Sequence, residues 1–166
     1  MPYSRRRSYE AGHRPKFLVV VDDTQECGRA VRFAARRVAR LGAKLVLLSV
    51  SEPPDGFEWL GVGDMMRAEA EEEAQDRLEA AAEMARDAAG VQAELIVRIG
   101  VRTDEILKLI EEDEDVSFLV LAAGTAADGP GPLVSGLAGK AASSYPVPVV
   151  IVPGGLTDEE IDAIAG

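Results

Sequence analysis

The chain has 166 residues, a net charge of −11 and hydrophobic residues at 47% of its positions. This length and composition favour one domain with a full apolar core, and so acidic a chain is not expected to bind DNA or RNA. The single cysteine excludes an intrachain disulfide framework and a cysteine-based zinc site. No apolar run is long enough for a signal peptide or a membrane span, so we expect a cytoplasmic protein without a membrane partner.

The charge is unevenly distributed along the chain. The first 16 residues contain five basic side chains and a single acid, Glu10. Because this stretch has no apolar periodicity, residues 1–15 are predicted to form a disordered basic arm, either solvated or resting on the acidic domain. A folded domain is predicted for residues 16–153. Residues 154–166 are predicted to be a tail with a short helix, in which Thr157 and Glu160 form a capping box.

Five short apolar runs recur along the domain, each continuous rather than alternating. Continuous runs of Val, Leu and Ile are typical of strands that are buried on both faces of a parallel sheet. The runs are Phe17–Val21, Leu45–Val50, Leu95–Ile99, Phe118–Ala123 and Val147–Val152.

Helical patterns separate these runs. The first, Thr24–Leu41, ends at Gly42, and a long Ala/Glu helix over residues 63–89 ends at Gly90, because glycine favours the left-handed helix terminus. Further helices are predicted for Thr103–Glu112, with Thr103 as N-cap, and for Leu133–Ser144. Alternating strands and helices predict an α/β fold with a parallel sheet between two layers of helices.

The segment after the fourth predicted strand is rich in glycine. Gly124, Gly129 and Gly131 lie between the strand and a helix, an arrangement that allows backbone N–H groups to surround an anion. A P-loop is excluded because Val134 and Ala141 occupy positions that require glycine and a hydroxyl. A dinucleotide fingerprint is excluded because the first strand is followed by Asp22 without glycines. A plain loop rich in turn-forming residues remains the alternative.

Acidic residues follow the first strand. If the first and fourth strands are neighbours, Asp22 lies opposite the glycine-rich loop at the edge where such sheets bind ligands. A receiver domain would also place an acidic pair here. However, Arg98-Ile99-Gly100 and Pro153-Gly154 occupy the positions of its phosphoacceptor aspartate and lysine. We expect Asp23 to cap a helix and Cys27 to be an inert residue in the first turn of that helix.

Three segments together resemble the universal stress protein family. They are FLVVVDDTQECGRAVRFAARRVARLGAKLVLLSV, GVRTDEILKLIEEDEDVSFLVLAAG and SGLAGKAASSYPVPVVIV. The resemblance covers roughly Lys16 to Pro153, and it rests on the order and spacing of the segments rather than on one motif. It implies a five-stranded parallel sheet in the order 3-2-1-4-5, in a protein that is usually a dimer.

The resemblance also implies a nucleotide site. One branch of the family binds ATP through Gly-x-x-Gly, nine residues and then Gly-Ser or Gly-Thr. Here Gly124 matches the first glycine, Ala127 replaces the second, and the closing pair is inverted. The implied nucleotide-binding residues are Val21, Asp22, Val50, Gly124, Thr125, Gly129, Gly131, Ser135 and Gly136.

Two functions remain open from the sequence. The first is regulatory binding of ATP or another adenine nucleotide, with Mg²⁺ accompanying the nucleotide and no efficient catalysis, in a stress response. The second is a dimeric interaction module with a degenerate pocket. In either case we expect a homodimer joined through Val147–Val152, because an uncovered apolar edge strand is an association site.

Overall fold

The structure is a computed structural model that describes residues 3–52, 63–126 and 129–166. It confirms the predicted α/β fold, with one five-stranded parallel sheet in the order β3-β2-β1-β4-β5. The strands are β1 (Lys16–Val20), β2 (Lys44–Ser51), β3 (Ala93–Ile99), β4 (Val116–Ala123) and β5 (Val149–Pro153). The helices are α1 (Cys27–Leu41), α2 (Asp64–Ala89), α3 (Arg102–Glu112), α4 (Pro132–Ala138) and α5 (Asp158–Ala165).

Strand β1 lies at the centre of the sheet. Leu18 is opposite Val46 of β2 and Leu119 of β4 in the parallel register, and all three side chains are buried. Successive side chains of a strand point to opposite faces, so the continuous apolar runs supply two cores. This is the physical basis on which the sequence predicted a sheet covered on both sides.

Helices cover each face of the sheet. Helices α1, α2 and α5 pack on the face that carries Phe17 and Val19. Helices α3 and α4 pack on the opposite face, which carries Leu18 and Val20. The result is a three-layer α/β/α arrangement. Because all five strands are parallel, their carboxyl ends lie at one edge of the sheet.

Helix α1 begins later than predicted, and helix α3 begins earlier. In each case a side chain from outside the helix binds the backbone near its first turn. Asp22 Oδ1 accepts hydrogen bonds from Thr24 N at 3.0 Å and from Thr24 Oγ1 at 2.5 Å, so this turn precedes α1, which starts at Cys27. Helix α3 starts at Arg102, with Val101 rather than Thr103 as N-cap. The Glu52 carboxylate accepts from Arg102 N at 2.7 Å and replaces the expected cap.

The fourth predicted helix is divided in two. Helix α4 ends at Ala138, and Gly139 has φ −90° and ψ −130°, outside the helical region. A short 3₁₀ helix follows over Lys140–Ser144. Gly136 and Gly139 both lower the helix propensity of this stretch, so the break falls where the sequence is weakest.

The N-terminal segment contacts the domain. Arg6 Nη1 donates to the carbonyl oxygens of Ile110 at 2.6 Å and Asp113 at 3.1 Å, at the end of α3. His13 Nδ1 lies 2.6 Å from Asp115 Oδ1. The segment therefore rests on the domain, which is one of the two alternatives that the sequence left open. Arg6 satisfies helix-terminal carbonyls that a pattern search for apolar residues does not detect.

The C-terminal segment is part of the core. Ile161 and Ala165 of α5 are fully buried in the apolar cluster shared with α1. Arg32 of α1 donates Nε and Nη2 to the two carboxylate oxygens of Asp162, both at 2.7 Å. The predicted capping box of Thr157 and Glu160 is present.

Within residues 3–52, 63–126 and 129–166, no helix is long and apolar enough to cross a membrane. Ala127, which the family resemblance aligned with the second motif glycine, lies outside the described residues.

Candidate functional site

The carboxyl ends of β1, β2 and β4 meet at one edge of the sheet. Because β1 pairs with both β2 and β4, the strand order reverses at β1, and open α/β sheets bind ligands at such a point. Asp22 follows β1, Val50 lies at the end of β2, and Gly124 follows β4. Three adjoining cavities open here.

A cavity of about 400 Å³ lies between the ends of β1 and β2 and the first turns of α2. Val50, Met66 and Ala70 give it an apolar wall. Apart from Ser51, the remaining lining residues are charged: five are acidic and two are arginines. They are Asp22, Asp23, Glu52, Glu69 and Glu73, with Arg77 and Arg102.

Asp22 is held in place by the turn that follows β1. Its Oδ1 accepts the two hydrogen bonds from Thr24. Its second oxygen, Oδ2, has no hydrogen-bond partner in the described part of the chain. Asp22 therefore has an oriented acceptor at the border of the cavity.

Two arginines that the sequence reasoning missed reach this edge. Arg77 of α2 donates from Nη1 to Oγ of the fully buried Ser49 at 2.9 Å. Arg102, the first residue of α3, lines both the 400 Å³ cavity and a cavity of about 140 Å³ between β1 and β4. Among the described residues, no carboxylate oxygen lies within 4 Å of either guanidinium group. The sequence could have indicated that Arg77 lies near the buried face of α2, because Arg77 falls three residues after the buried Ala74 and one before the buried Leu78.

The glycine-rich loop closes on itself. Gly124 N donates to the Pro130 carbonyl and Gly129 N donates to the Ala126 carbonyl, both at 3.0 Å. Gly129 and Gly131 have φ values of 105° and 110°, which favour glycine. The backbone N–H groups of Gly124 and Gly129 are thus engaged within the loop.

A cavity of about 780 Å³ lies over this loop. It brings together five residues of the predicted site: Gly124, Thr125, Gly129, Gly131 and Ser135. Ser135 lies inside α4, where its N–H donates to the Gly131 carbonyl at 3.0 Å. Val21 is buried, with its N–H donating to the Leu48 carbonyl at 2.7 Å, and Gly136 is exposed in α4. Neither Val21 nor Gly136 lines the three cavities.

Glu26 also lines the cavity over the loop, and the sequence reasoning did not identify it. A methyl group placed on Gly124 would lie 3.0 Å from Glu26 Oε2. A methyl group on Gly154 would lie 2.7 Å from Glu26 Cβ and 2.3 Å from the Ala123 carbonyl oxygen. Glycine at 154 therefore makes room for the Glu26 side chain, which extends over the end of β4.

Cys27 lies beside the site without a reactive thiol. Its sulfur is buried, 3.8 Å from the Val20 carbonyl oxygen. Burial raises the pKa of the Cys27 thiol to about 11, so the thiol is protonated at neutral pH. This agrees with the inert residue expected from the sequence.

Within the described residues, no group of three or more His, Cys, Asp and Glu side chains is arranged to hold a metal ion. The carboxylates of the site are distributed along the three adjoining cavities. The geometry favours recognition of an organic ligand by shape, one oriented carboxylate and two guanidinium groups.

The sequence model of the Universal stress protein family matches residues 13–153. No curated protein matches the chain in sequence. Among solved structures, the universal stress protein UspA from Lactobacillus plantarum is 16% identical, with a TM-score of 0.68 over 83% of this chain and 97% of that one. The universal stress protein from Archaeoglobus fulgidus in complex with dAMP is 17% identical, with a TM-score of 0.57 over 83% and 97%. A family protein from Arabidopsis thaliana with AMP bound is 18% identical, with a TM-score of 0.57 over 84% and 91%.

Proposed function

Because this chain belongs to the universal stress protein family, we propose that it binds an adenine nucleotide as a regulatory ligand in a cytoplasmic stress response. The observation that carries the proposal is the placement of Asp22 and Val50 on one cavity at the point where the strand order reverses. Two similar structures contain dAMP and AMP, so adenine nucleotides are ligands that this fold accommodates.

The residues of the 400 Å³ cavity fit a nucleoside. Val50, Met66 and Ala70 offer an apolar surface for a base, and planar bases bind against apolar walls with a few polar contacts at the rim. Asp22 Oδ2, which has no hydrogen-bond partner among the described residues, can accept a hydrogen bond from a ribose hydroxyl. The two guanidinium groups supply donors for a phosphate.

The site supports binding more than catalysis. Cys27 is protonated and buried, and the chain's single histidine, His13, bonds to Asp115 near the amino end of β4. No Ser-His or Cys-His pair is therefore available at this edge in the described residues. Nucleotide binding without efficient turnover is the function of a sensor or regulator.

We also propose a homodimer joined along β5. Strand β5 is at the edge of the sheet, and Val149, Val150 and Ile151 are only partly buried. Pairing with a second copy would satisfy the free backbone groups of this edge and bury the apolar side chains.

A second candidate is an interaction module that binds no nucleotide. The observation favouring this candidate is the closed glycine loop, in which the N–H groups of Gly124 and Gly129 donate hydrogen bonds to carbonyl oxygens of the loop itself. Calorimetry separates the two candidates.

We expect saturable heat when AMP is titrated into the full chain, with an affinity in the micromolar to millimolar range. Asp22→Asn removes the charged acceptor and should weaken AMP binding by at least about tenfold, since lost hydrogen bonds to charged groups cost about 1.5–3 kcal/mol. Asp76→Asn on the exposed face of α2 removes the same charge elsewhere and should leave binding unchanged. Repeating the titration with and without Mg²⁺ shows whether the metal accompanies the nucleotide. No heat from wild-type protein at millimolar AMP and ATP would favour the interaction module.

A further inference from the structure

Strand β3 forms the second edge of the sheet, opposite β5. Every residue of β3 is at least partly exposed, whereas Leu45–Val50 of the neighbouring β2 are all buried. A cavity of about 760 Å³ opens beside the carboxyl-terminal half of β3, lined by Val97, Arg98 and Ile99 together with residues of α2 and α3. Among the described residues, no strand pairs with the outer side of β3, so this edge can accept a further strand.

The backbone of β3 presents hydrogen-bonding groups along this edge. The N–H group of Gly100 donates to the Ser51 carbonyl oxygen at 3.0 Å, so residue 100 faces β2. Because the backbone groups of successive residues in a strand alternate in direction, the N–H and C=O groups of Leu95, Val97 and Ile99 face outward. A strand added here would therefore find both donors and acceptors.

Two oppositely charged side chains lie four residues apart on β3. Glu94 and Arg98 share the face of the strand on which Ile96 packs against the apolar cluster of α3. Arg98 Nη2 donates to Glu112 Oε2 at 2.7 Å, and Glu94 Oε1 accepts from Lys16 Nζ at 3.4 Å. Glu94 Oε2 has no hydrogen-bond partner in the described part of the chain, and the Arg98 guanidinium has further N–H groups to donate.

A second copy of the same strand matches this charge pattern. In an antiparallel pair with its twofold axis at Ile96, Glu94 of each copy lies opposite Arg98 of the other. In the same register Leu95 lies opposite Val97, and both of these residues have outward backbone groups. Any other antiparallel register separates the charge pairs, and parallel pairing in register would oppose like charges, which is unfavourable.

We propose that the β3 edge is a second self-association surface, at which two copies of the chain pair antiparallel about Ile96. This surface is distinct from the β5 edge and does not depend on nucleotide binding. Charges of opposite sign placed symmetrically about the centre of the strand disfavour a partner strand without the complementary charges and favour a second copy. Because Glu94 and Arg98 lose solvation on pairing and β5 has no charged residue, we expect weaker association through β3 than through β5.

Disulfide trapping tests the register. Residues opposite each other at this axis form a non-hydrogen-bonded pair with Cα atoms about 4.5 Å apart, within the range that a disulfide bridges. Ile96→Cys should therefore give a covalent dimer in oxidised glutathione, whereas wild-type protein, with only the buried Cys27, should give none. Gln92→Cys, an exposed change just before β3, is the matched control. Its two copies would lie about 27 Å apart at about 3.4 Å per residue, so trapping should be at least about tenfold lower.

Exchange of the charges separates specific pairing from random collision. In the Ile96→Cys background, Arg98→Glu or Glu94→Arg alone places like charges opposite each other and should reduce trapping at least about fivefold. The two changes together should restore it, and melting curves establish that each variant is folded. Equal trapping through positions 92 and 96, no trapping in folded Ile96→Cys, or no recovery in the double exchange would overturn the proposal.

Sedimentation gives a measurement that needs no introduced cysteine, and it decides the question if Ile96→Cys does not fold. Ile151→Lys weakens the proposed pairing through β5 and leaves β3 unchanged. This variant should form dimers when its concentration is raised to several hundred micromolar, and adding Arg98→Glu should keep it monomeric. An Ile151→Lys chain that stays monomeric, or one whose dimers are unaffected by Arg98→Glu, would contradict pairing through β3.

Discussion

The C-terminal helix α5 lies beyond the family match, which ends at residue 153, yet its packing predicts a large contribution to stability. Ile161 is 0% exposed and belongs to the core cluster shared with α1. Ile164, three residues later in the same helix, is 61% exposed. The two positions carry the same side chain on the same helix, so they form a matched pair.

Replacing Ile161 with alanine removes three carbon atoms from the core. At about 0.8 kcal/mol for each buried methylene, the transfer term is about 2.4 kcal/mol, and the cavity raises the expected loss to about 3 kcal/mol. For a domain of this size, such a loss lowers the melting temperature by roughly 6–12 °C. Ile164→Ala removes the same atoms from the surface. It should change stability by less than about 0.5 kcal/mol, helped by the better helix propensity of alanine.

Urea denaturation followed by circular dichroism, at one fixed protein concentration, measures both variants. The concentration is held constant because dimerisation would add to apparent stability. Losses for Ile161→Ala and Ile164→Ala that agree within about 0.5 kcal/mol would contradict the reasoning and would mean that α5 is not docked on α1 in solution.

Three further predictions concern the arm, the thiol and the sheet edge. Arg6→Ala should destabilise the fold by about 1–2 kcal/mol in urea denaturation, because two carbonyls at the end of α3 lose their donor. The side chain of Arg5 is 88% exposed, so Arg5→Ala should have almost no effect on stability. Equal losses of stability in the two variants would contradict the docking of the arm. The raised pKa of Cys27, about 11, means that the unfolded thiol ionises first as pH rises. Wild-type stability should therefore fall between about pH 9 and 11 more than that of Cys27→Ala, and parallel pH profiles would exclude this linkage. Ile151→Lys should shift sedimentation of the proposed dimer toward monomer, whereas wild-type protein that is monomeric at tens of micromolar would count against pairing through β5.

Much of the fold could be predicted from the sequence because its signals are local. The apolar runs identify strands buried on both faces, and the left-handed Gly42 and Gly90 end α1 and α2 as predicted. The capping box at Thr157 is likewise set by residues three positions apart. The strand order came from the family resemblance, since short apolar runs of similar composition contain no information about which strands are neighbours.

The parts that could not be predicted depend on residues far apart in the chain. Glu52 binds the first N–H of α3 across 50 positions, so no local pattern indicates that cap. Arg6 reaches the end of α3 across 104 positions. Glu26 comes close to Gly124 and Gly154 only at the edge of the folded sheet. In the sequence it is one acid among 29 acidic residues.

Chemical-shift mapping of AMP binding on ¹⁵N-labelled protein tests the central claim most directly. We predict saturable shifts for the backbone amides of Asp22, Val50 and Ala70, which surround the proposed base site. Gly42, at the end of α1 and beside the start of β2, should remain unshifted because it lies at the opposite edge of the sheet. The absence of saturable shifts at millimolar AMP, or shifts confined to residues away from the ends of β1 and β2, would contradict the proposed site.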